Sequence, residues 1–188
     1  MFISKRLQQG LSLIEASMVL ALSAIVVSGV GFYYKSASEN ANANTVMTTV
    51  MNIIATANKL YPGHGRVKDY DGLDTSMIHK AIPDLELNAN GDIIQPGGIT
   101  IKVTSGWEGV GYLYRIDVQH IPKSQCENYS TMLTNVGGNL LKGWVKGSDQ
   151  GDGSWYPFDG SPDEIKKNLF HACWSTRPYV DLMIALDT

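Results

Sequence analysis

Apolar residues run almost unbroken from Leu11 to Tyr34 and then thin to one position in every three or four. Within the first stretch Glu15 is the one ionisable side chain, with Lys5 and Arg6 ahead of it and Lys35 behind it. The stretch exceeds the roughly 20 residues a helix needs to cross a bilayer. From Lys35 to Tyr61 neither Pro nor Gly occurs. There Ala43, Val46, Met47, Val50, Ile53, Ile54, Ala57 and Leu60 recur at helical spacing, opposite Asn42, Asn44, Thr45, Thr48, Thr49, Asn52 and Thr56. The pattern predicts one helix from Leu11 to Leu60, about 75 Å long, apolar all round at first, one-faced later and ended by Pro62-Gly63. Gly29 and Gly31, where the two halves meet, each cost a helix about 1 kcal/mol relative to Ala. They mark close packing or a point where the rod bends.

Beyond the helix the period changes. Asp74 or Thr75 caps a short helix, Ser76 to Ala81, stopped by Pro83. Asn90-Gly91 and Pro96-Gly97-Gly98 signal turns. Ile99, Ile101 and Val103 alternate with Thr100 and Lys102. A second strand sets Tyr112, Tyr114, Ile116 and Val118 on one face and Arg115 and Asp117 on the other, so Gly106 to Gly109 makes the pair a hairpin. Cys126, Tyr129, Leu133 and Val136 form a helical stripe ending at Gly137-Gly138. Leu140 to Lys146 reads as a strand and Gly147 to Gly160 as an exposed loop. Ser161-Pro162-Asp163-Glu164 opens a helix through Ile165, Leu169 and Cys173. Val180, Leu182, Ile184 and Leu186 share a face of a closing strand.

Burial then sets the fold class. The stripe from Ala43 to Leu60 is too apolar to face water, and an antiparallel sheet has one apolar face in need of cover. The expectation is an α+β fold: a long N-terminal helix packed on a twisted antiparallel sheet, whose most continuously apolar strand, the C-terminal one, is central.

Composition narrows the function classes. The chain of 188 residues leaves room for one compact domain after the apolar segment. Its formal charge is -3, which becomes -5 without Lys5 and Arg6. No cluster of Lys and Arg marks a nucleic-acid surface. His64, His79, His120 and His171 form neither a His-Glu-x-x-His pattern nor a Cys/His metal pattern. The acidic runs Asp69 to Asp74 and Asp149 to Asp152 lack the full ligand alternation and closing Glu of a calcium loop. No nucleophile, base and oxyanion donor assemble, so neither an enzyme nor a cofactor is expected. Asn128-Tyr129-Ser130 matches a glycosylation acceptor but falls within the predicted helix.

Glu15 carries the functional reading. A carboxylate in a lipid-facing helix costs something like 2 to 3 kcal/mol at the bilayer centre and less toward its surface, so it calls for a partner. A secretory signal explains the cations and the apolar run, but such cores are shorter. A plain anchor leaves Glu15 unexplained. Gly10-Leu11-Ser12-Leu13-Ile14-Glu15, after two cations and before a long apolar run, resembles the processing site of type IV pilins and pseudopilins. The resemblance implies that a prepilin peptidase cuts between Gly10 and Leu11, that Leu11 is then N-methylated, and that Glu15 acts in assembly. It divides the chain into a leader (1–10), a membrane and fibre-core half-helix (11–34) and a globular head (35–188). The head first lies in the periplasm, with the helix in the inner membrane, and then on an extracellular fibre. The implied partners are further copies of the chain, the peptidase and the inner-membrane assembly machinery.

For an exported chain, an even count of two cysteines, Cys126 and Cys173, reads as one disulfide, with two buried thiols as the alternative. In the family two such cysteines bracket a variable surface region. The large head and the Leu11 start look most like the type IVb branch, the bundle-forming and longus-like pilins, as bulk fibre subunits serving adhesion or aggregation. Two other readings stay open: a pseudopilin of a type II secretion system and a membrane-tethered periplasmic enzyme or binding domain.

Overall fold

The computed structural model describes residues 13–62, 70–107, 110–134, 140–147, 156–157, 173 and 178–186. The chain divides into two compact units, Met1–Asn40 and Ala41–Thr188. Helix α1 spans Leu13–Leu60 and enters both. Its continuity follows from the absence of Pro and of any Gly after Gly31.

In the second unit, α1 buries Ala43, Val46, Val50, Ile53 and Ala57, each at most 1% exposed. The 3-4-3-4 spacing gives a single stripe. Met47 and Ile54 flank it, half-buried. Leu60, expected on the stripe, is 41% exposed. The next residue, Tyr61, packs against the core instead and meets the Tyr70 ring at 5.6 Å.

The stripe packs against a six-stranded antiparallel sheet in the order β1-β2-β3-β6-β4-β5. The strands are β1 (Ile93–Ile94), β2 (Thr100–Trp107), β3 (Val110–Pro122), β4 (Leu140–Gly147), β5 (Tyr156–Pro157) and β6 (Tyr179–Leu186). The C-terminal strand is central as expected, paired with β3 on one side and β4 on the other. Tyr114, Ile116 and Val118 stand opposite Leu186, Ile184 and Leu182, and all six are buried. Such directly opposed pairs are the unit that stabilises a sheet. The predicted hairpin of β2 and β3 forms, with a bulge between Ser105 and Trp107 where Gly106 takes a φ of 76°. β5 lies inside the stretch read from sequence as a loop and pairs with Trp144 and Val145.

Two local features depart from simple alternation. A second bulge falls between Val118 and Ile121, where His120 adopts a φ of 62° and its N–H donates to Asp181 Oδ1 at 3.0 Å. The extra residue turns Ile121 inward, where it is fully buried. On the sheet's other face Asp117 is only 7% exposed, with Arg115 Nε 3.0 Å from its Oδ1. This contact is an ion pair without the alignment of a hydrogen bond. Leu113, Met183 and Ala185 on that face are buried too, so both sides of the central strands are covered.

Helix α2 (Thr75–Ala81) begins where expected, with Asp74 as its N-cap. The cap carboxylate accepts from the Met77 N–H at 2.7 Å and from the Ser76 hydroxyl at 2.9 Å. Helix α3 spans Cys126–Thr134 and buries Cys126, Tyr129 and Leu133. Val136 and the helix expected to open at Ser161 lie outside the described residues, Cys173 excepted. Cys126 and Cys173 are joined in a disulfide, which decides against two buried thiols.

Candidate assembly surface

In the first unit the side chains of α1 from Leu13 to Tyr34 are exposed, although nearly all are apolar. Burying one such aliphatic side chain is worth about 1.5 to 3 kcal/mol, so water is not their resting environment. By length and composition this helix can cross a membrane. Its polar side chains are adapted to such a setting. The Ser17 hydroxyl donates to the Ile14 carbonyl at 2.8 Å, Ser23 to Val19 at 2.7 Å and Ser28 to Ala24 at 2.7 Å, so each donor is spent on its own helix.

Glu15 is exposed in the first turn. One turn on, the same face continues through Val19, Leu22, Ser23, Val26 and Val27, which line a shallow apolar groove. The 4-3-4 progression from Glu15 through Val19, Leu22 and Val26 puts a carboxylate at the head of an apolar stripe. That is the arrangement a second rod of like composition matches if it brings a cation to the same level. Gly10 and Leu11, the expected cleavage and methylation positions, lie outside the described residues. At Gly29 and Gly31 an added Cβ meets nothing within 4 Å, so contacts inside the chain do not require either glycine.

Several of the head's remaining polar candidates have structural roles, while His64, His171 and the acidic run Asp149 to Asp152 lie outside the described residues. Cys173 is tied in the disulfide and offers no free thiol. Asp74, from the acidic run Asp69 to Asp74, is engaged in the cap of α2, and the Met77 amide holds its carboxyl below the usual range. Among the described residues no three His, Cys, Asp or Glu side chains stand close enough to hold a metal ion. In the Asn128-Tyr129-Ser130 triplet, Ser130 is fully buried within α3 and Asn128 is half-buried, its amide donating to Gln125 Oε1 at 3.2 Å. Burial pushes the Tyr129 phenol up to about 12, and burial followed by the neighbouring Tyr70 raises Tyr114 further. Both phenols belong to the core.

Residues 35–165 match the Bundlin family. Over 168 residues the chain is 32% identical to the major structural subunit of the bundle-forming pilus of Escherichia coli O127:H6, covering 88% of this chain and 83% of that protein. A second protein of the same description, from Escherichia coli O111:H-, is 34% identical over 132 residues, 69% of this chain and 67% of its own length. The family match begins at residue 35, where the apolar run ends. The head and the Gly10 to Glu15 motif therefore point the same way from different parts of the chain.

Proposed function

The chain belongs to the bundlin family of type IVb pilins, and from that premise we propose that it is the major structural subunit of a type IV pilus that serves adhesion or aggregation. The family is one of structural subunits, not of enzymes, and this chain acts by polymerising. The carrying observation is the exposed, almost wholly apolar first half of α1 with Glu15 in its opening turn.

The sequence of events follows from that rod. The subunit waits in the inner membrane with residues 11–34 spanning it and the head, 35–188, in the periplasm. Prepilin peptidase removes residues 1–10 between Gly10 and Leu11, and Leu11 is N-methylated. The assembly machinery then moves the rod from lipid into a bundle of identical rods. Lipid is as apolar as the fibre core, so this transfer gains close packing rather than hydrophobic burial. Electrostatics fixes the register: Glu15 of one subunit meets the Leu11 ammonium of the next, and a buried charge is tolerated where its counter-charge is close.

The pseudopilin reading shares the N-terminal motif. The pilin reading is favoured by the head, which matches relatives described as major pilus subunits. Shearing cells and sequencing the fibre protein by mass spectrometry tests the proposal. Fibres composed of this chain and starting at N-methyl-Leu11 are expected, and recovery of the chain with residues 1–10 intact and no fibres overturns it.

A further inference from the structure

We propose that Phe32, Tyr33, Tyr34 and Lys35 form a collar that seats α1 at the periplasmic headgroup layer of the membrane and so sets the depth of Glu15. The proposal rests on the reading that residues 11–34 span the inner membrane before assembly. The three rings are the most exposed large side chains of the apolar segment after Leu13, at 78%, 79% and 75%. Consecutive helical residues point about 100° apart, so positions 32 to 35 encircle the helix once. A stripe fits another helix, whereas a ring has no preferred side and fits a plane that the helix crosses. Aromatic rings with an adjacent cation are the side chains that favour the membrane–water boundary.

The surroundings agree with that placement. From Leu13 to Gly31 there is no aromatic residue and no charge other than Glu15. From Ser36 onward Ser38, Glu39, Asn40, Asn42 and Asn44 bring polar groups in quick succession. Lys35 Nζ lies 3.9 Å from Glu39 Oε1, on the polar side of the ring. The rise from Glu15 to Phe32 is about 25 Å, and the hydrocarbon layer is about 30 Å thick. With the collar at one boundary, Glu15 lies within about 5 Å of the other, where its carboxylate reaches headgroups and water at little cost. The collar thus holds the assembly carboxylate at the cytoplasmic surface until the subunit is extracted.

The test uses the full chain in its native membrane, with single cysteines at Ser28→Cys, Ser36→Cys or Ser38→Cys and an impermeant maleimide applied from the periplasmic side. Cys126 and Cys173 are bonded to each other and do not react. In the parent, position 28 is expected to be protected and positions 36 and 38 to be labelled. Replacing the rings (Phe32→Leu, Tyr33→Leu, Tyr34→Leu) is expected to let the helix sink and slow labelling at position 36 by about tenfold. The tryptophan counterpart (Phe32→Trp, Tyr33→Trp, Tyr34→Trp) restores it. Unchanged labelling at 36 in the leucine variant, with the protein still in the membrane fraction, overturns the collar alone. Equal loss in the tryptophan variant also overturns it. A parent chain washed from membranes by carbonate overturns the spanning reading beneath it.

Discussion

The Thr75 hydroxyl accepts from the Val103 amide at 2.9 Å and donates to the Val103 carbonyl at 3.3 Å, so one side chain closes the edge of β2 beyond its short pairing with β1. The neighbouring Asp74 bridges to Thr104, and α2 lies across the edge as a cover. Open sheet edges invite pairing with other chains, a particular hazard for a pilus subunit. Thr75 is 6% exposed, so Thr75→Val leaves both backbone groups buried without partners. A loss of about 3 kcal/mol is expected, with less than about 1 kcal/mol for Thr75→Ser. Urea unfolding of the full chain in detergent, followed by circular dichroism, checks the difference.

The Asp74 cap gives a second, pH-dependent contribution. Asp74→Ala is expected to lower stability by about 1 kcal/mol at neutral pH. The folded carboxyl titrates below its usual value of 3.8, chiefly through the Met77 amide. The contribution is therefore complete above that value and disappears as pH falls through the lowered folded one. Parent and variant should differ at pH 7 and converge in acid. A constant difference across the range contradicts the cap.

At the β3 bulge, Asp181 is 8% exposed and its carboxylate holds the His120 amide, while the His120 and Tyr179 rings meet edge-on at 6.2 Å. Asp181→Ala removes a charge-assisted acceptor from a left-handed residue. It is expected to cost about 2 kcal/mol and to speed amide hydrogen exchange at residues 119 to 121 ahead of the rest of β3. Exchange that rises evenly along β3 contradicts a local role.

These features explain which parts of the molecule were legible in the sequence. The apolar run, the stripe from Ala43 to Ala57, the Asp74 cap and strand β6 are set by near neighbours, and period and capping chemistry reveal them. The disulfide followed from export and an even count. The His120 bulge was not legible, because its acceptor lies 61 positions away and only the sheet brings the two together. Thr75 and Val103, 28 positions apart, escaped for the same reason. The face that Asp117 takes was legible, but its burial was not, because alternation reports which face a residue takes, not whether that face is covered. Of the candidate site, Glu15 was legible as a chemical anomaly.

The Cys126–Cys173 bond closes a loop of separation 47 that contains β4, the strand flanking the central β6. Removing that constraint frees the unfolded chain by about 4 kcal/mol on the loop-entropy account. The double variant Cys126→Ser, Cys173→Ser is expected to lose most of that amount and to be degraded faster in the periplasm. Pulse-chase with quantitative blotting checks it, and a half-life equal to the parent's assigns the bond no part in stability.

Glu15→Leu separates the two environments of the rod. In lipid the substitution removes a mild penalty, so insertion and the head fold are expected to be unchanged, as read by carbonate extraction and by the intact disulfide. In a fibre the carboxylate is expected to neutralise the Leu11 ammonium of a neighbouring subunit. Its loss leaves that cation uncompensated among apolar rods, a defect typically worth 3 to about 5 kcal/mol for a broken buried pair. Each subunit added would carry the same penalty, so long fibres should vanish rather than shorten slightly. Electron microscopy of sheared material from cells expressing only the variant checks this, with normal insertion as the control. Abundant fibres of ordinary length would mean that the carboxylate serves the membrane stage and not the polymer.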